Sequence, residues 1–128
     1  MRVVAAVIKA GDLYLACRRA SHKSLAGKWE FPGGKVETSE TDETALAREI
    51  REELGTEVTV EQLVETTFSS ASGTSIEMAS YLCRLISERP TQSSDHDKLL
   101  WLALEELQTL DWAELDIPVV EKLVASSN

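Results

Sequence analysis

Residues 34–56 read GKVETSETDETALAREIREELGT, and the fold is decided there. Between Thr41 and Leu54 the pattern turns helical. Thr41 suits an N-cap, Asp42 and Glu43 favour the first turn, and Gly55 is a C′ stop. Glu49, Glu52 and Glu53 stand at i, i+3 and i+4, so their side chains fall within about 100° of arc on one helix face. Three carboxylates that close repel one another unless something neutralises them. Arg48 can hold and orient these acids but cannot balance three charges.

Hard divalent cations can, and Mg²⁺ or Mn²⁺ prefer carboxylate oxygens with room left for water and phosphate. A generic acidic helix is more often a solvated face. The approach to this one says otherwise. Phe31-Pro32-Gly33-Gly34 brings a nearly bare backbone to the helix, followed by Lys35. Glycines let carbonyl and N–H groups reach a metal or phosphate, and Lys35 supplies a cation for phosphate.

Working outward, 128 residues make one domain's worth, with 43% apolar and 27% charged residues. No apolar run approaches the ~20 residues that span a bilayer, and Val3–Ile8 reads as a strand rather than a signal peptide. The net charge of −9 argues against binding a nucleic acid polymer. Cys17 and Cys83 read as buried reduced thiols of a cytoplasmic protein.

Val3–Lys9 and Leu13–Arg18 predict a hairpin around Ala10-Gly11-Asp12. Residues 20–30 read as a polar loop, and Pro32-Gly33-Gly34 as a break in regular structure. Further strands are expected over 57–68, 75–85 and 99–104, with a turn at Ala71-Ser72-Gly73-Thr74 and a polar loop over 88–97. A turn or short helix follows around 104–110. A final amphipathic helix is expected over 117–125, with Pro118 in its first turn. Strands mixed with two clear helices give an α/β or α+β sandwich.

The stretch at 34–56 resembles the Nudix box, G-x5-E-x7-R-E-U-x-E-E-x-G-U with U a bulky aliphatic. Gly34, Glu40, Arg48, Glu49, Ile50, Glu52, Glu53 and Gly55 match in register, and only Thr56 departs. The resemblance implies a single Nudix domain over 1–128: an α/β/α sandwich with a central mixed β-sheet and the catalytic helix packed on one side. CRRAS at 17–21, KWEFPGGKVE at 28–37, the segment around Trp101 and the helix from Asp116 extend the likeness to MutT-like nucleoside triphosphate pyrophosphohydrolases. That branch implies Mg²⁺-dependent hydrolysis of (d)NTP to (d)NMP and pyrophosphate, with Mn²⁺ as substitute, by a cytoplasmic monomer or homodimer without a nucleic acid or membrane partner.

Carried over, the Gly33 carbonyl, Glu49, Glu52 and Glu53 resemble metal ligands, with Arg48 and Glu40 positioning them and Gly34 and Gly55 shaping the box. A late-loop acid, here Asp95, completes the metal site or acts as base; a plain polar loop is the other reading. Arg19 and Lys35 would offset phosphate charge, or be solvent-exposed cations. Phe31, Arg19 and Asp116 would line the base pocket. An ionised Asp116 only accepts hydrogen bonds, which suits the N4 donor of cytosine. The expectation therefore leans to CTP, dCTP and 5-substituted dCTP, with 8-oxo-dGTP as alternative. Asp116 could instead, or also, N-cap the last helix. Patterns of the coenzyme A, ADP-ribose and dinucleoside polyphosphate branches fit less well. A non-catalytic nucleotide sensor and a domain docking a basic partner are the readings outside catalysis.

Overall fold

The computed structural model describes residues 1–70 and 73–126. Seven strands form one mixed sheet: β1 (Arg2–Ala10), β2 (Leu13–Arg19), β3 (Trp29–Glu30), β4 (Gly33–Lys35), β5 (Val58–Ser69), β6 (Ile76–Leu85) and β7 (His96–Ala103). The helices are α1 (Asp42–Leu54), α2 (Leu104–Leu107) and α3 (Ile117–Ser126), the last preceded by a 3₁₀ turn at Glu114–Asp116. Strand order runs β3-β2-β1-β6-β5, with β4 beside β1 and β7 beside β2. Among these strands β1 and β6 pair in parallel and the other strand pairs are antiparallel, while Trp29 also makes an isolated parallel bridge to Trp112.

Alternation along β1 divides the core. Val4, Ala6 and Ile8 pack with Ala45, Leu46, Ile50 and Leu54 of α1, whereas Ala5 and Val7 join Phe31, Trp112, Val119 and Val120 on the opposite face. The result is an α/β/α sandwich with α1 on one side of the sheet. Burying Leu46 and Ile50 completely is worth roughly 1.5–3 kcal/mol for each side chain.

The ends of α1 form as expected. Thr41 Oγ1 accepts the Thr44 N–H at 3.1 Å, and Gly55 adopts φ +65° while its N–H donates to Arg51 O. Asp42, in the first turn, also receives the Tyr81 hydroxyl at 2.6 Å and the Arg2 guanidinium, which pins the helix to β1 and β6. At its far end Thr56 is buried; its Oγ1 donates to Glu88 O at 2.9 Å and lies 2.6 Å from Ser87 Oγ.

Three expectations change. Pro32-Gly33-Gly34 does not end regular structure, because Gly33 and Gly34 belong to β4, opposite Ala5 and Val4. The vacant edge of β1 supplies the ladder, and a Cβ at Gly33 would overlap the Val4 carbonyl, so only glycine fits. The loop over 20–30 ends early, with Trp29 and Glu30 paired to Arg18 and Cys17. β7 begins at His96 rather than Leu99, since Arg18 and Arg19 extend the ladder past a bulge. Ala71 and Ser72 of the expected turn lie outside the described residues. Cys17 and Cys83 are buried free thiols, and among the described residues no helix is long and apolar enough to cross a membrane.

Candidate active site

The stretch 29–35 leaves β2 as β3 and reaches β1 as β4, with Pro32 O accepting the Ala6 N–H at 2.8 Å between them. This crossing lays Gly33 and Gly34 against α1. A Cβ on Gly34 would overlap the Glu49 carboxylate, so the missing side chain is what lets the backbone lie beside that acid.

Arg48 organises the acidic face. It clamps Glu40 through Nε at 2.7 Å and Nη2 at 2.9 Å, while Nη1 reaches Glu49 and Glu52 at 3.1 Å each. Nη2 also donates to Lys35 O at 3.1 Å, tying helix to β4. The guanidinium and the Glu37 N–H hold the Glu40 carboxyl down at about 2. Lys35 itself is exposed.

Glu49 and Glu53 are pushed the other way. Burial raises Glu49. Burial, then a hydrogen bond to Asp95 and that acid's charge, raises Glu53 to about 10. Asp95 is lowered by the same bond to Glu53 and by Lys23, 3.3 Å away. Two carboxyls in such contact hold one proton between them, or a cation. Glu53 Oε2 is buried and meets no donor. An orphaned buried oxygen, a paired acid and a glycine backbone lying against Glu49 fit a hard divalent cation. Among the described residues no closed cage of three such ligands is preformed; Glu49 and Glu52 both engage Arg48 instead.

The opposite face is closed. Asp116 is 4% exposed and Phe31 3%. Asp116 Oδ1 accepts the Phe31 N–H at 3.0 Å, a bond across the fold rather than along α3. The Phe31 ring lies 4.7 Å from that of Trp112, whose Nε1 donates to Leu107 O at 2.6 Å. Burial raises the Asp116 carboxyl to about 8. Its ionised form, on which the cytosine expectation rested, therefore shares neutral pH with a protonated form that can also donate.

Arg19 sits between the two ends. Its Nη1 is 3.1 Å from both Glu30 oxygens and its Nε donates to Ser24 O at 2.6 Å. Nothing in the sequence assigned a role to Glu30, Ser93, Lys23 or His96. Glu30 and Lys23 meet partners far away along the chain, 66 residues in the case of Glu30 and His96.

A family model described as NUDIX domain matches residues 1–123. The chain is 37% identical over 125 residues to the CTP pyrophosphohydrolase of Escherichia coli (strain K12), covering 98% of this chain and 92% of that protein. It is 36% identical over 128 residues to the putative 8-oxo-dGTP diphosphatase 2 of Mycobacterium tuberculosis, covering 98% and 89%. The solution structure of the E. coli ORF135 protein superposes with a TM-score of 0.84 at 36% identity, over 98% of this chain and 89% of that one. The chain belongs to the Nudix family and, with its MutT-like relatives, is a Nudix hydrolase, a class that works with a divalent metal.

Proposed function

We propose that this protein hydrolyses nucleoside triphosphates to the monophosphate and pyrophosphate, using Mg²⁺, with Mn²⁺ as substitute. The carrying observation is the contact between Glu53 and Asp95 beside Glu49 and Glu52, an acidic cluster whose neighbouring cations, Arg48 and Lys23, are already committed. Gly33 O, Glu49, Glu52, Glu53 and Asp95 would hold the metal. When bound, it would supply Lewis acidity toward the phosphate oxygens and a more acidic water. Arg48 and Glu40 keep Glu49 and Glu52 aimed, Asp95 takes the proton of the water attacking the β-phosphorus, and Arg19 and Lys35 offset charge on the phosphates. The retention of every box acid speaks for an enzyme over a nucleotide sensor. We read the chain as one catalytic domain over 1–128, acting in the cytoplasm on the nucleotide pool.

For the base, the reading is a cytosine nucleotide, supported by the likeness to the CTP pyrophosphohydrolase and by a carboxylate at Asp116. The second reading, 8-oxo-dGTP, is favoured by the raised Asp116 carboxyl, since a protonated acid offers the donor that an oxidised guanine edge accepts. Both Phe31 and Asp116 are covered here, so the base would enter by displacing part of the α3 end.

Pyrophosphate release with Mg²⁺ across a nucleotide panel, with wild type and Glu52→Gln, tests the activity. No turnover of any nucleotide by wild type with Mg²⁺ or Mn²⁺ would sink it. Comparing kcat/KM for dCTP, 5-methyl-dCTP and 8-oxo-dGTP in wild type and Asp116→Asn tests the base. A wild-type preference for 8-oxo-dGTP, or a ranking unmoved by the substitution, removes the cytosine reading.

A further inference from the structure

Behind Asp95 runs a chain of hydrogen bonds outside the box. The His96 side chain is shielded completely from solvent. Its Nε2 lies 2.8 Å from Glu30 Oε2 and its Nδ1 2.8 Å from Ser93 Oγ, so both ring nitrogens are engaged and the ring cannot turn freely. Ser93 Oγ also accepts the backbone N–H of Asp95 at 3.2 Å. On either side, Asp95 O accepts the Ala20 N–H at 3.1 Å and the Ser94 N–H donates to Glu53 O at 3.2 Å. At its other end Glu30 holds Arg19, and the bulge in the β2–β7 ladder is what sets Arg19 opposite His96.

We infer that Glu30, His96 and Ser93 form a positioning relay that fixes the backbone of Asp95 so that its carboxylate meets Glu53. The inference rests on the role given to Asp95 above. An aspartate has only two side-chain torsions and a short reach, so where its Cα sits decides what it can touch. A loop would ordinarily leave that placement loose. Here a buried imidazole, held at both nitrogens, carries it to the sheet. The relay also joins the two cation-handling ends of the site, since Glu30 anchors Arg19 with the same carboxylate that receives His96. Outer groups that aim a metal ligand in this way carry much of its affinity.

The full-length protein with Ser93→Ala, Ser93→Thr, Asp95→Asn and Ser93→Ala/Asp95→Asn tests this. Mn²⁺ binding without nucleotide is read from the free-ion electron paramagnetic resonance signal, alongside steady-state kinetics and Tm. Ser93→Ala should weaken Mn²⁺ binding and lower kcat, each about tenfold. KM should stay within about twofold and Tm should be nearly unchanged. Ser93→Thr keeps the hydroxyl and should restore both losses. On the Asp95→Asn background, Ser93→Ala should add nothing. Wild-type Mn²⁺ affinity and kcat in Ser93→Ala, while Asp95→Asn loses them, overturn the relay alone; so does full additivity. Unchanged affinity and kcat in Asp95→Asn itself would instead overturn the role of Asp95.

Discussion

On the α1 face of the sheet, one guanidinium gathers Glu37, Glu40, Glu49 and Glu52. On the α3 face, the buried carboxyl of Asp116 carries the Phe31 N–H on one oxygen. The first arrangement is polar and partly open, so its charges can be re-partnered by an incoming ion at little desolvation cost. The second is sealed by packing, so its carboxyl answers to burial first and to charges second. On the proposed reading, acidic side chains would thus serve two ends of one substrate by opposite means. The polar end is specified by spacing along a helix. The apolar end is specified by contacts between segments 85 residues apart.

Breaking the polar end should give the largest effects. Glu52 is more than half exposed, so Glu52→Gln should fold normally while lowering kcat on the order of 10³-fold; pyrophosphate release measures it, and a loss under tenfold contradicts the assignment. Arg48→Lys keeps the charge but loses the fork that hydrogen-bonds Glu40, Glu49 and Glu52. Its kcat should fall about 10²-fold, with Tm little changed because the pairs are partly solvated.

The two adjacent glycines sharpen the contrast within one strand. At Gly33 an added Cβ meets the backbone carbonyl of Val4, which cannot yield; at Gly34 it meets the tip of Glu49, which can. Gly33→Ala should cost about 2–3 kcal/mol of stability. Gly34→Ala should keep its Tm but displace Glu49 and reduce kcat about tenfold. Thermal melts beside kinetics separate them, and equal losses in both assays for both variants would erase the distinction.

The sealed end should show itself through pH. Asp116 has a carboxyl raised from 3.8 to about 8. The folded state therefore holds its proton more tightly than the unfolded chain does. The stability this gives is complete below about pH 4 and declines as pH rises toward 8, by at most about 1.4 kcal/mol per unit. Asp116→Asn should remove that slope while keeping an oxygen for the Phe31 N–H. Denaturant midpoints between pH 5 and 8.5 would show it, and parallel profiles would contradict it.

The sequence made α1 and its face legible because cap, charge pattern and stop all lie within 15 or so residues, inside the reach of local rules. β4 was not legible. Pro-Gly-Gly signals a break locally, and only the vacant edge of β1 turns it into a strand. The acids proposed to hold the metal could be named from the box and its resemblance. Glu30, His96 and Ser93 could not, since nothing in DHDKLL shows that an imidazole will be buried against a carboxylate from another strand. The protonation of Asp116 was equally hidden, because burial is a property of the assembled α3 face.

Thr56 closes the box where the Nudix pattern has a bulky aliphatic, and its hydroxyl proton goes to Glu88 O. The proton between the two hydroxyls is then that of Ser87, whose oxygen also accepts the Glu57 N–H at 2.9 Å. Positions 56 and 87 are consequently coupled through one shared hydroxyl proton. A lone Thr56→Val would remove the partner of the Glu88 carbonyl and of the Ser87 proton, at about 0.5–1.5 kcal/mol for each bond lost. Thr56 and Ser87 therefore behave as one coupled pair, whose substitutions should not simply add.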